Sequence, residues 1–459
     1  MNTPRSGGAY NGPTAAQENA RVTILEGDTV HGSRPAVATS PANSIPLGMV
    51  QGHAENIYFD NSTLSKHVLF LGGIGTGKTN AMKQLVHTLR REAGPDDVFV
   101  IFDTKGDFLE DFYRTGDAVV SSSPQEVPGG VVWNLFSDLL GQDLAERSDQ
   151  VYEIASTVFS EETSRASDNY FFAAAARDIF AAVVEVMSGG EARCSNRDLR
   201  ENLEKQVEEL LEMLQEHPQL AGTTRYLQGD RTPEAVLAFL QQTLNKSFSG
   251  VFRETGDFSV RQFVRAKRAR ALFIEYDIAM GSRLSPIYRV LMDMAIKEAL
   301  GLGRRGTKGN VFFVLDEFAL LPELSHISAG INFGRSLGLK FLVGTQNVNQ
   351  VLHAYQTGIG ESILSGFGTV FAFRLMDGTS RQLVRDRFGT NRKQITTFNA
   401  VRSQGVQQIV VEGNVIEDWV LSGLTRGQCI VSLPEGPPFF FSFREFRATG
   451  RVPGRGPAG

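Results

Sequence analysis

Six apolar runs recur along the chain: "HVLFL" (67–71), "VFVIFD" (98–103), "ALFIEYD" (271–277), "VFFVLDE" (311–317), "KFLVGTQ" (340–346) and "TVFAFRL" (369–375). They are nearly continuous rather than alternating, which is the pattern of strands buried on both faces. Helical periodicity connects most of them, so the pattern predicts an α/β fold with a mostly parallel sheet and crossover helices. Between about Leu140 and Arg265 the rhythm changes. Strand signal is weak there, and "SDQVYEIASTVF", "NYFFAAAARDIFAAVVEVM", "RENLEKQVEELLEMLQE" and "PEAVLAFLQQTL" read as helices. The expected organisation is a flexible arm over 1–46 with one strand-like run, "RVTILEG", then an α/β domain made of 47–139 and 266–446. An all-helical domain over 140–265 is inserted into it, and a disordered tail covers 447–459.

Composition narrows the class. A chain of 459 residues with 41% hydrophobic and 21% charged residues is globular and long enough for two or three domains. The net charge of −5 argues against a uniformly basic coat, so any nucleic-acid contact must come from local loops or a lined channel. Two distant cysteines, Cys194 and Cys429, support neither a disulfide framework nor a structural zinc site, which suits a reducing cytoplasm. No signal peptide, membrane-spanning helix or internal repeat is evident.

The first chemical signal is Gly72–Gly73–Ile74–Gly75–Thr76–Gly77–Lys78–Thr79, which satisfies GxxxxGK(S/T), followed by Asn80. Glycines in this pattern let backbone N–H groups converge on phosphate oxygens. The run before it reads as a strand, and Met82, Leu85, Val86 and Leu89 after it fall at helical spacing. A glycine-rich turn between strand and helix is the plain alternative. Read as a phosphate loop, it gives Lys78 the β and γ phosphates of ATP and Thr79 a ligand position on Mg2+.

A second signal ends the run "NVFFVLDE", where Asp316 can hold magnesium through water and Glu317 can orient the attacking water. The alternative is a polar strand end capping the next helix. The spacing of the strands leaves room for one between those bearing the two motifs, which is the RecA-like, additional-strand class of P-loop ATPase. Downstream, Arg335 is suited to stabilising transition-state phosphate charge and Gln346, at a strand end, to sensing the γ-phosphate. A surface arginine and a turn-forming amide are the alternatives.

Taken together, "HVLFLGGIGTGKT", "VIFDTKGDF", "VLDEFALLPEL", "NFGRSLGLKFLVGTQNVNQV" and "SRQLVRDRFG" resemble the coupling ATPases of conjugative and type IV secretion systems (TraG/TraD-like). These belong with hexameric DNA translocases of the FtsK and HerA types. The resemblance covers most of residues 50–445 and implies a ring that pumps DNA through its centre. It makes Lys78 and Thr79 the phosphate-loop pair, Asp316 and Glu317 the metal-linked and water-orienting carboxylates, Arg335 an arginine acting on a neighbouring subunit's nucleotide, and Gln346 a sensor. Asp103 and Lys105 match a family motif without an assigned role. Many relatives begin with transmembrane helices, whereas this chain begins with a polar arm. The resemblance therefore implies recruitment from the cytoplasm to the inner membrane by a partner, with a relaxase and secretion-channel components as further partners. A soluble HerA/FtsK-like translocase in repair, defence or partitioning is the alternative, and a nucleotide-gated adaptor with little turnover is a third reading.

Basic clusters at 261–270, 303–309 and 385–393 are candidates for DNA phosphate contact, with solvated loops as the alternative. No sequence-reading motif appears, so DNA binding is expected to be non-sequence-specific. The aromatics of "PPFFFSFREF" are expected in a strand packed on the sheet, and His67 in a structural role.

Overall fold

The computed structural model describes residues 20–32, 45–49, 56–160, 163, 170–190, 193–228, 232–398 and 406–447. The N-terminal segments 1–19 and 33–44 of the expected arm, and the tail from 448 onward, lie outside the described residues. The chain divides into two compact units, Met1–Glu92 with Phe341–Ala448, and Ala93–Lys340 with Thr449–Gly459.

In the first unit the strand Val68–Leu71 is flanked by two parallel neighbours, Leu339–Thr345 and Thr369–Ala372. The register sets Leu71 opposite both Thr345 and Ala372. Gln428–Ser432 then pairs antiparallel with Thr369–Ala372, and Phe439–Ser442 with Gln428–Ser432. All residues of Val68–Leu71 are fully buried, and Phe70 stacks on Phe371 with ring centroids 5.0 Å apart. Burial at about 1.5–3 kcal/mol for each large apolar side chain accounts for the uninterrupted apolar run. The helix Lys78–Glu92 buries Met82, Leu85, Val86 and Leu89, the stripe read from the sequence, together with Ala81. Phe439, Phe441 and Phe443 are likewise buried, so the terminal aromatics pack on the sheet as expected.

A small antiparallel sheet in the same unit joins Ala20–Glu26, Thr390–Phe398 and Val406–Asn414. The strand-like run of the arm is therefore a sheet strand.

The second unit has an all-parallel order: Val311–Leu315, Val98–Asp103, Arg270–Glu275, Ala118–Val120 and Gly130–Val131. The strand "VFVIFD" is thus flanked by "VFFVL" and "RALFIE", and the neighbours of Val68–Leu71 come from later in the chain. Among the described residues no strand lies between Val131 and Arg270. That interval holds the helices Leu144–Val158, Tyr170–Gly189, Asn196–Leu203, Val207–Gln215 and Thr232–Ser247. Buried Asn196 ties its base together, accepting from the Leu135 N–H (2.9 Å) and donating to the carbonyls of Trp133 (2.9 Å) and Phe252 (3.0 Å).

Candidate active site

The segment Gly72–Thr79 runs from the buried strand into the first turn of Lys78–Glu92, the order a phosphate loop requires. Two glycines are obligatory for physical reasons. At Gly77, with φ +110°, a Cβ would lie 3.1 Å from the Gly427 nitrogen, and at Gly72 a Cβ would lie 2.6 Å from the Phe373 Cβ. Neighbouring strand ends brace the loop: the Gly72 N–H donates to the Thr345 carbonyl (3.2 Å), the Gly73 N–H to Arg374 (3.0 Å), and the Gly427 N–H to Thr76 (2.8 Å). The Thr76 hydroxyl closes the loop on the Gly73 carbonyl at 2.8 Å. Ile74 stands at the loop tip, 79% exposed.

Buried Lys78 folds its ammonium onto the carbonyls of Gly72 (2.6 Å) and Gly73 (3.2 Å). The loop thus holds a cation over its own mouth. The first helical turn contains no acidic residue, so the positive N-terminal field is not cancelled locally. Thr79, half-buried in that turn, offers a hydroxyl oxygen. This cradle suits a phosphate chain.

Gln346 follows Thr345, which is in register with Leu71. The structure therefore brings the expected sensor to the flank of Gly72, where it is half-buried. Asn80 is placed differently from a simple nucleotide contact. Its side chain donates to the Arg444 carbonyl (2.8 Å) and accepts from the Phe446 N–H (2.6 Å), while Gln84 donates to the same Arg444 carbonyl (2.6 Å). Asn80 anchors the C-terminal segment to the helix behind the loop.

In the second unit Asp316 and Glu317 follow Val311–Leu315, and Asp316 is buried. Leu315 is in register with Phe102, so Asp103 and Asp316 end adjacent parallel strands. Asp103 accepts from the N–H groups of Phe108 (2.9 Å), Leu109 (2.8 Å) and Lys105 (3.3 Å), capping the helix Asp107–Phe112. Burial raises its carboxyl to about 6; those N–H bonds pull it down, and the Asp316 charge adds to the rise. Lys105 is exposed. The oxygen donors Asp316 and Thr79 are of the chemical type that Mg2+ accepts.

Arg335 sits near the end of the helix Ile327–Leu337, exposed, with no hydrogen bond or ion pair among the described residues. Phe333, on the same helix, is 67% exposed. A guanidinium presented this way is available to another molecule.

The basic clusters divide. In 385–393, Arg385 pairs with Asp418 and Lys393 with Glu417, and Arg387 donates to the Gly368 carbonyl at 2.7 Å. In 261–270, Arg261 is buried against Leu140, Arg265 pairs with Glu298, and Arg270 lies 4.5 Å over the Phe263 ring. Arg268, Arg304 and Lys308 are exposed. Buried His67 has φ +59° and accepts from the Phe341 N–H at 3.2 Å, a structural role. Among the described residues there is no cluster of metal-ligating side chains and no helix long and apolar enough to cross a membrane.

The family model for the type IV secretion-system coupling protein DNA-binding domain matches residues 53–417. No curated protein matches the chain. Among solved structures, the plasmid coupling protein TrwB in complex with the non-hydrolysable ATP analogue ADPNP is 18% identical. The match covers 94% of this chain and 97% of that one, at a TM-score of 0.72. TrwB in complex with ADP and Mg2+ is 17% identical over 92% of this chain and 99% of that one, at 0.69. VirB4 of Thermoanaerobacter pseudethanolicus is 14% identical over 89% and 98%, at 0.55. These likenesses establish the RecA-like α/β fold.

Proposed function

The chain belongs to the type IV secretion-system coupling protein family, and from that premise we propose that it is an oligomeric, ATP-hydrolysing motor that moves DNA for conjugation or secretion. The observation that carries this reading is the phosphate loop, with Lys78 poised over its carbonyls and Gln346 on its flank. In this reading Gly72–Asn80 form the nucleotide-binding segment, through backbone groups in the case of Ile74 and Asn80. Lys78 transfers its ammonium from the loop carbonyls to the β and γ phosphates. Thr79 and Asp316 hold Mg2+, Glu317 orients the attacking water, and Gln346 reports the γ-phosphate. Structures of the family member TrwB with an ATP analogue and with ADP and Mg2+ support the choice of nucleotide and ion.

Exposed, uncommitted Arg335 supports assembly into a ring, a homo-hexamer by family analogy, in which it acts on a neighbour's nucleotide. The ring grips DNA by its phosphates without reading sequence, and segment 140–265 serves as the motor's helical domain. We place the protein at the cytoplasmic face of the inner membrane, brought there by a channel component and supplied by a relaxase. The test is ATP turnover of the full chain. Lys78→Ala and Glu317→Gln should each reduce it to background while Glu317→Gln still binds ATP; wild-type turnover in either variant would remove these assignments.

A further inference from the structure

The helix that presents Arg335 is held from its N-terminal end by polar ties. Ser325 and His326 precede Ile327–Leu337, and both their N–H groups donate to buried Asp293, at 3.0 Å each. Asp293 belongs to the long helix Gly281–Arg304, so the cap comes from another element. One turn before it, Arg289 donates to the Glu323 carbonyl and carboxylate (3.2 Å each) and to the Ser160 hydroxyl (2.7 Å). One turn after it, Lys297 donates to Glu153 at 2.6 Å. His326 meets the same Glu153 oxygen at 3.3 Å. Glu153 lies on Leu144–Val158, and Ser160 just beyond it, in the helical interval.

Arg289, Asp293 and Lys297 are spaced by four, hence on one face of their helix. Together they join the helical interval to the start of the Arg335 helix. A cleft of about 490 Å3, lined by Lys297, His326, Phe333 and Leu337 among others, runs beside that helix. Close packing therefore does not wedge the helix on that side; buried Ile327, Gly330, Ile331 and Gly334 hold its other face, and the polar ties fix its N-terminal end. Burial raises the Glu153 carboxyl, but the bonds from His326 and Lys297 outweigh it and hold the group below its ordinary value. Glu153 is thus ionised at neutral pH, whereas burial raises the Asp293 carboxyl above its ordinary value against the pull of the Ser325 and His326 N–H bonds.

We propose that Asp293, Lys297 and Glu153 are positioning residues for Arg335: they transmit displacement of the helix Leu144–Val158 to the arginine and so couple the helical segment to turnover. The inference rests on Arg335 acting on a neighbour's nucleotide. About 9 residues of helix separate His326 from Arg335, a lever of roughly 13 Å. A small tilt at its base therefore moves the guanidinium by an amount that matters for transition-state contact.

The test uses the full chain with Lys297→Met, Asp293→Asn and the conservative Lys297→Arg. Hydrogen exchange of peptides spanning 323–337 should rise several-fold in the first two variants and return toward wild type in the third. Lys297→Met should lower kcat about tenfold at unchanged KM for ATP, a part of the ~10³–10⁵ an arginine finger supplies. In an Arg335→Ala background it should cost nothing further. Unchanged exchange at 323–337, or the same tenfold loss in the Arg335→Ala background, would overturn the proposal. If Arg335→Ala alone leaves turnover intact while exchange still rises, the arginine assignment falls and takes the catalytic half of the coupling with it.

Discussion

Asp103→Asn isolates the electrostatic cost of the paired strand ends. Asp103 is 1% exposed and its carboxyl is raised from 3.8 to about 6, first by burial and also by the neighbouring Asp316 charge. A carboxylate raised on folding leaves stability intact below the unfolded value and removes it as pH rises through the folded one. The window is therefore about pH 4 to 6, and a rise of that size corresponds to about 3 kcal/mol of folding penalty at neutral pH. Asparagine retains one acceptor for the N–H groups of Phe108 and Leu109 but loses the longer 3.3 Å bond from Lys105. That loss costs about 1 kcal/mol at every pH. Asp103→Asn should therefore be less stable than wild type by about 1 kcal/mol at pH 3, where the penalty has vanished, and more stable by about 2 kcal/mol at pH 7.5. Paired urea unfolding curves across this range provide the assay. Parallel pH profiles, with no crossing, would refute the burial argument.

Other perturbations probe the helical interval, the phosphate loop and the basic surface. Asn196→Ala strips partners from Leu135, Trp133 and Phe252 and should lower unfolding free energy by about 3 kcal/mol, read from urea midpoints. Gly77→Ala combines φ +110° with a contact 3.1 Å from the Gly427 nitrogen, and should abolish binding of a fluorescent ATP analogue without unfolding the sheet. Arg304→Ala should reduce the slope of log K against log salt for duplex DNA by about 0.9 if it meets one phosphate, whereas Lys393→Met, already paired with Glu417, should leave the slope unchanged.

The parts of the fold legible in the sequence were those whose signal is local. "HVLFL" and "VFVIFD" are buried on both faces, so their apolar runs identify them, and the glycines of the phosphate loop lie within one short stretch. The hairpin strands Thr390–Phe398 and Val406–Asn414 escaped because "TNRKQITTF" and "VQQIVVEGN" mix polar and apolar residues without a buried face. Strand order is non-local too, which is why the adjacency of Asp103 and Asp316 emerges only from the register. Asn80 reads as part of the loop motif, yet its amide partners lie more than 360 residues away at Arg444 and Phe446. Arg387 belongs to a basic run but serves an internal carbonyl. Charge in sequence did not equal charge available to DNA.

Coupling of ATP hydrolysis to DNA is the central claim. Its most direct test is steady-state ATP turnover of the assembled protein titrated with single- and double-stranded DNA, with oligomer mass measured in the same samples. The expected result is a ring whose turnover rises with DNA and is lost in Lys78→Ala. A ring whose turnover is indifferent to both DNA forms would contradict it.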